Sequence, residues 1–143
     1  EESYTVFREA VKPGEKSGVP KRNAPPEGLD WRRTIETDPV SLFRYSALTF
    51  NPHRIHYDRT YAKEVEGYPG LVVHGPYSQQ CMIDLIRDNR PDKKIATFKQ
   101  RARAPLFDTA PFSVGGRQVG EGAEVWAITP EGTIAMQAEV GFH

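Results

Sequence analysis

Three of the four histidines lie within 22 residues of one another, at positions 53, 56 and 74. Histidine titrates near neutral pH without help from its surroundings, so this group is the first candidate for acid–base chemistry. His56 follows a turn-rich stretch and is flanked by Ile55 and Tyr57. Polar groups on an irregular segment between apolar neighbours are a common way for a scaffold to present a site. A purely structural role is the alternative for each histidine taken alone.

A second candidate feature is the tripeptide His74-Gly75-Pro76, which opens the longest helical pattern of the chain. Proline suits a first helical turn because the N–H that it lacks is not needed there. The other amides of that turn have no intrahelical acceptor, and Gly75 would let a carbonyl oxygen approach them closely. The sequence therefore predicts an oxyanion site suited to a thioester that becomes an enolate.

Several flanking elements must position these groups. Asp38-Pro39 predicts a helix start with Asp38 as its cap, and a short helix is expected over 61–65, with Asp58 capping it and Gly67 ending it. The long helix carries apolar residues at steps of three and four through Asp88. Strands are expected over 95–104, 110–119, 123–129 and 133–142. Helices followed by antiparallel strands predict an α+β fold in which the sheet wraps one long central helix.

The resemblance to a known family rests on two linked motifs. Residues 43–58 read FRYSALTFNPHRIHYD and residues 67–76 read GYPGLVVHGP. Both resemble the MaoC-type acyl dehydratases, in particular the subgroup that contains the mesaconyl-CoA and itaconyl-CoA hydratases and the mitochondrial 3-hydroxyacyl-thioester dehydratase. The similarity runs from about Trp31 to the C-terminus. It implies a hot-dog fold and a hydro-lyase that adds or removes water across the double bond of an enoyl thioester.

One departure from the family pattern changes the expected chemistry. The general pattern S-G-D-x-N-P-L-H-x-D aligns with residues 49–58, so that its histidine falls on His56 and its catalytic aspartate on Asn51. An amide does not take a proton, so the resemblance implies that His56 alone acts as base or acid. Asn51 would orient the water, and Gly75 would mark the oxyanion site.

Other residues are candidates for contact with the substrate. His53, His74 and Tyr77 are expected near the acyl group, with a structural role open for each of them. Arg54 would suit the carboxylate of a dicarboxylic acyl group, or forms an ion pair instead. Arg101 shares a strand face with Lys99 and Arg103, where it either meets the phosphates of CoA or is simply solvated.

Composition excludes several classes of function. Nineteen basic residues balance nineteen acidic ones, so no net field favours nucleic acid or an anionic membrane. Cys81 is the only cysteine, which excludes an internal disulfide and a zinc site built on paired thiolates. No apolar run has the roughly 18 residues of a membrane span, and Glu1-Glu2-Ser3 does not resemble a signal peptide. We expect a cytoplasmic protein, or one of the mitochondrial matrix if eukaryotic, without metal or cofactor.

The first thirty residues differ from the remainder. Residues 12–28 hold four prolines and three glycines, which predicts a linker or an N-terminal arm over 1–30. The resemblance implies a hot-dog hydratase domain over 31–143. Residues 4–8 alternate weakly and are a candidate strand. The resemblance implies a second hot-dog unit, either another copy in a dimer or an N-terminal half of a fused enzyme whose C-terminal half is this chain.

Three functions remain open on the sequence. A hydratase or dehydratase acting on an acyl-CoA or acyl-carrier substrate is favoured. A non-catalytic module that binds an acyl thioester is the first alternative. The presence of His56 and of the His74-Gly75 helix start disfavours it. A thioesterase ranks lower, because no carboxylate is expected at the helix start or at position 51.

Overall fold

A computed structural model of the protein describes residues 2, 4 and 23–143. The candidate strand over 4–8 and most of the predicted arm lie outside these residues. Residues 23–30 form no helix or strand and run along the sheet. There the amide of Ile134 donates to the carbonyl of Asn23 over 2.8 Å, and Asp30 accepts from the amide of Gln118 over 2.8 Å.

The sheet has five strands, all paired antiparallel, in the spatial order β1-β3-β4-β5-β2. The bounds are β1 Trp31–Ile35, β2 Ile95–Ala102, β3 Phe112–Val119, β4 Gly122–Ile128 and β5 Ile134–Phe142. The four later strands confirm the sequence prediction. The first was not predicted, because its sequence WRRTI is short and has apolar residues only at its two ends. It pairs along β3, with Ile35 opposite Phe112.

Two α-helices and two short helices complete the fold. Helix α1 is Pro39–Thr49, and the Asp38 side chain accepts from the amide of Ser41 over 2.6 Å, as expected of a cap. Helix α2 is Gly75–Asn89, confirming the predicted start. Between them lie a 3-10 helix over Arg54–His56 and a π-helix over Tyr61–Val65. The Asp58 carboxylate accepts from the amide of Tyr61 over 3.0 Å and so caps this second element.

The core lies between α2 and the sheet. Helix α2 packs on β1, β3 and β4, and its buried residues Met82, Leu85 and Ile86 join one apolar cluster with Phe112 and Val125. Leu85 and Ile86 follow Met82 by three and four residues, which places the three side chains on one face of the helix. Among the described residues, no helix has the length and apolar character needed to span a membrane.

A short extended segment before α2 connects the core to the candidate site. Val72 bridges to Phe107 as in an antiparallel pair, and the amide of Val73 donates to the carbonyl of Leu106 over 2.8 Å. The amide of Val72 donates to the carbonyl of Ile55 over 3.0 Å. These bonds hold the 3-10 helix that carries His56 against the start of α2.

Candidate active site

His56 has the geometry of a base that is ready to accept a proton. Its Nδ1 lies 2.7 Å from the carbonyl oxygen of Val72. Because a carbonyl only accepts hydrogen bonds, Nδ1 must carry the proton, and Nε2 is left with a lone pair. Nε2 forms no hydrogen bond within the described part of the chain. Burial lowers the pKa of His56 below its ordinary value, opposed by the Val72 carbonyl and assisted by His53, so the ring is neutral at neutral pH.

His74 supports the ring of His56 from one face. The two imidazoles stack with their centroids 3.7 Å apart and their planes 17° apart. His74 is only 1% exposed, and its Nε2 lies 2.8 Å from the hydroxyl of Ser46 on α1. Burial lowers the pKa of His74 to about 4, with the neighbouring His56 as the second cause. The 3-10 helix and the start of α2 thus meet at a pair of uncharged rings.

The cleft beside His56 has a volume of about 400 Å³ and is lined by Gly75 as well as His56. Val72, Val73, Leu106 and Met136 form much of its apolar wall. The first amides of α2 lack intrahelical acceptors at this end of the helix. The structure therefore places the predicted base and the predicted oxyanion site in one cleft.

Asn51 and His53 lie close to this cleft but do not line it. The Asn51 side-chain oxygen accepts from the amide of His53 over 3.0 Å, which fixes the turn before the 3-10 helix. The His53 ring meets the His56 ring edge-on at 5.6 Å between centroids. Asn51 lines a second hollow of about 300 Å³ together with Phe43 and Phe50. The side chains of Asn51 and His56 share no hydrogen bond within the described residues.

The three remaining sequence candidates lie outside the cleft. Arg54 forms an ion pair with Asp58 at 2.7 Å and lies over the ring of Tyr61. Tyr77 packs edge-on against Tyr45 and against the core cluster. Arg101 is exposed on β2. Their predicted substrate contacts remain predictions.

Three groups at the site were missed or left unassigned by sequence reasoning. The carbonyl of Val72 carries no sequence signal, since every residue has one. Ser46 lies one helical turn after the buried Leu42, a spacing that would have placed it on the inner face of α1. Arg103 lines the cleft, whereas the sequence only grouped it with two neighbouring cations.

No group of three or more histidine, cysteine or acidic side chains suited to a metal ion occurs among residues 2, 4 and 23–143. His56 and His74 each have one ring nitrogen engaged by a protein group. The site contains a stacked pair of imidazoles, of which His56 lines the cleft.

The fold is shared with several solved structures. The (R)-hydratase from A. caviae involved in PHA biosynthesis aligns over 80% of this chain and 96% of its own, with a TM-score of 0.65 and 16% identity. The ChsH1–ChsH2 complex from Mycobacterium tuberculosis aligns over 78% of this chain and 93% of its own chain, with a TM-score of 0.65 and 15% identity. These likenesses confirm the predicted hot-dog fold.

Sequence comparison identifies the family as well as the fold. Residues 1–108 match the profile of the family described as Htd2, hydroxyacyl-thioester dehydratase type 2. The mesaconyl-C(4)-CoA hydratase of Chloroflexus aurantiacus is 45% identical over 98% of this chain and 49% of its own length. The chain thus spans about half the length of that relative. It belongs to the hydroxyacyl-thioester dehydratase type 2 family.

The depressed pKa of His74 predicts a loss of stability in mild acid. The unfolded chain takes up this proton near pH 6.5, whereas the folded chain does so only at about pH 4. The contribution of His74 is therefore fully present above pH 6.5 and is lost as the pH falls towards 4, at up to about 1.4 kcal/mol per pH unit and about 3 kcal/mol in total.

Urea unfolding at pH 7.5, 6 and 5 measures this loss. His74→Gln removes the titrating ring, so its free energy of unfolding should fall less steeply with acid than that of the wild type, while the carboxylates contribute equally to both. Equal slopes for the two proteins would contradict the prediction.

Proposed function

We propose that this protein adds or removes water across the double bond of an enoyl thioester. The observation that carries the proposal is the orientation of His56: its Nδ1 is bonded to the Val72 carbonyl, and it shares a cleft with the amino end of α2. A neutral imidazole with one free nitrogen is suited to take a proton from water. The family and the hydratase relative support the same reaction class.

In the hydration direction, Nε2 of His56 takes one proton from water while the water oxygen bonds to the β-carbon of the substrate. The electrons of the double bond move towards the thioester oxygen, which becomes an enolate. The imidazolium can then return its proton to the α-carbon, so that water is added and His56 is neutral again. Dehydration is the reverse, with His56 protonating the leaving hydroxyl group. Water and the thioester supply every atom of the product, so the reaction needs no further reactant.

The enolate oxygen would lie at the start of α2. Amides with no intrahelical acceptor, together with the positive end of the helix dipole, stabilise a negative charge there. A low-dielectric wall strengthens this interaction, and the buried Val73, Leu106 and Met136 supply such a wall. His74 would act as a positioning residue, because its nearly inaccessible ring faces His56 and Ser46.

Asn51 remains our candidate for orienting the attacking water. Its oxygen is engaged by the amide of His53, whereas no described group accepts from its side-chain NH₂. That amide is therefore free to donate to water or to a substrate oxygen. The exposed His53 would contribute a further polar contact at the rim.

Replacing His56 tests the catalytic assignment. His56→Gln keeps a polar side chain but cannot accept the proton, so hydration should slow by about 10² to 10⁴-fold. The measurement is the loss of enoyl-thioester absorbance with crotonyl-CoA and with mesaconyl-CoA, using the intact protein.

His143→Gln is the matched control, because His143 is an exposed histidine at the end of β5. It should retain wild-type rates. Rates for His56→Gln within twofold of the wild type would refute the assignment. Release of free CoA thiol without hydration would identify a thioesterase, and binding without turnover would identify a non-catalytic module.

Gly75 allows a substitution that separates folding from function. A methyl group at this position would have only the Met136 methyl as a near protein neighbour, at 3.9 Å, so the fold can accommodate alanine. The same methyl group would occupy space that the thioester oxygen needs. Gly75→Ala should therefore unfold at the same urea concentration as the wild type, or a higher one, and should lose about tenfold or more in kcat/KM.

Gln80→Ala on the exposed side of α2 is the control and should retain activity. Full activity of Gly75→Ala would show that the oxygen binds elsewhere.

We further propose that a second hot-dog unit packs against α1. The side chains of Val40, Phe43, Leu48 and Phe50 are all more than half exposed, and Phe50 reaches 92%. An apolar surface of this kind is usually covered in the working protein. A chain of the ChsH1–ChsH2 complex has this fold and is part of an assembly with a second chain. The partner is either another copy or a second half of the same polypeptide.

The native mass of the intact protein tests for the second hot-dog unit. Two hot-dog units per particle are expected, either as two chains or within one longer chain, and Phe50→Ser should weaken the association of two chains. A particle with a single hot-dog unit would contradict the proposal.

A further inference from the structure

Arg103 is the one permanently charged side chain that lines the cleft beside His56 among the described residues, and no carboxylate lines it. The remaining wall is apolar or uncharged. Arg103 is exposed, so this uncompensated cation is accessible to an anion that enters the cleft.

The backbone holds Arg103 at this place. Its amide donates to the carbonyl of Ala135 over 2.7 Å, and the next amide, of Ala104, donates to the same oxygen over 3.1 Å. One guanidinium nitrogen lies 3.3 Å from the side-chain oxygen of Gln137, a long and weak hydrogen bond. The base of the side chain is thus fixed, while most of its five donors have no acceptor among the described residues.

Two other arginines near the site have carboxylate partners. Arg54 is paired with Asp58, and Arg59 is paired with the buried carboxylate of Asp108. Arg103 has no carboxylate partner within the described part of the chain. Arg101 does not line the cleft, so Arg103 is the arginine that both lines it and keeps its charge available.

We propose that Arg103 binds an anionic group of the thioester substrate, either a free carboxylate on the acyl chain or a phosphate of the CoA handle. The inference rests on the proposed function and names the residue that selects the substrate. Both groups present two or more oxygens to the planar fork of a guanidinium, which binds them with paired hydrogen bonds. If the anion is the acyl carboxylate, Arg103 takes the role that the sequence suggested for Arg54.

Four substrates distinguish the two sources of negative charge. Crotonyl-pantetheine has neither group, and crotonyl-CoA has only the phosphates. Mesaconyl-pantetheine has only the acyl carboxylate, and mesaconyl-CoA has both. Steady-state kcat/KM is measured for each with the wild type, Arg103→Gln, Arg103→Lys and the control Arg87→Gln, which removes an exposed arginine on α2.

We expect Arg103→Gln to lose about tenfold to a hundredfold in kcat/KM on the substrates that carry the recognised anion, and less than twofold on crotonyl-pantetheine. A loss confined to the two mesaconyl substrates identifies the acyl carboxylate, and a loss confined to the two CoA substrates identifies a phosphate. Arg103→Lys should recover part of the loss, and Arg87→Gln should behave as the wild type.

An equal loss on all four substrates would overturn the inference in favour of a structural role, and so would no loss on any of them. In both cases the wild type still turns over and the proposed function stands. A wild type inactive on all four substrates would refute the proposed function, and the inference with it.

Discussion

The site depends on the hydrogen bond from Nδ1 of His56 to the carbonyl of Val72. This bond fixes which ring nitrogen carries the proton and therefore which one is available as a base. It is possible because Val72 is held on both sides: its amide donates to the carbonyl of Ile55, and it forms a strand-like bridge with Phe107. Because the same segment leads directly into α2, the base and the helix start are placed by one piece of backbone.

Much of the fold could be predicted because its signals are local. Asp38-Pro39 and Gly75-Pro76 mark helix starts by the chemistry of capping and by the fixed φ of proline, and the structure confirms both. The last four strands were also found, within a few residues at their ends, from their composition and the turns between them. His56 and Gly75 could be singled out because each is the residue type that its chemistry requires, and the structure brings both into one cleft.

The features that the sequence did not predict depend mainly on contacts between distant parts of the chain. Strand β1 exists because β3 offers it a partner, and WRRTI carries too little pattern to show this. The bond between Ser46 and His74 joins residues 28 positions apart. Phe50 adopts a left-handed φ of 53° at the position of a glycine in the family pattern, an uncommon conformation for an aromatic residue. The first two features are set by tertiary contacts, which single-sequence reasoning does not see. The φ of Phe50 belongs to the backbone cap of α1, where its amide donates to the carbonyl of Ala47.

The two stacked imidazoles place a limit on the proton chemistry of the site. Their centroids are 3.7 Å apart, so two positive charges would repel strongly, and burial disfavours charge on either ring. Only one ring at a time can therefore carry a second proton, and under the proposed mechanism that ring is His56, which lines the cleft. His74 stays neutral, with Nδ1 buried and lacking a partner among the described residues. Such an unsatisfied atom costs about 1–3 kcal/mol, a penalty that a leucine at this position would avoid. If His56 becomes an imidazolium, as proposed, the polarisable ring of His74 stacked against it would stabilise that charge without competing for the proton.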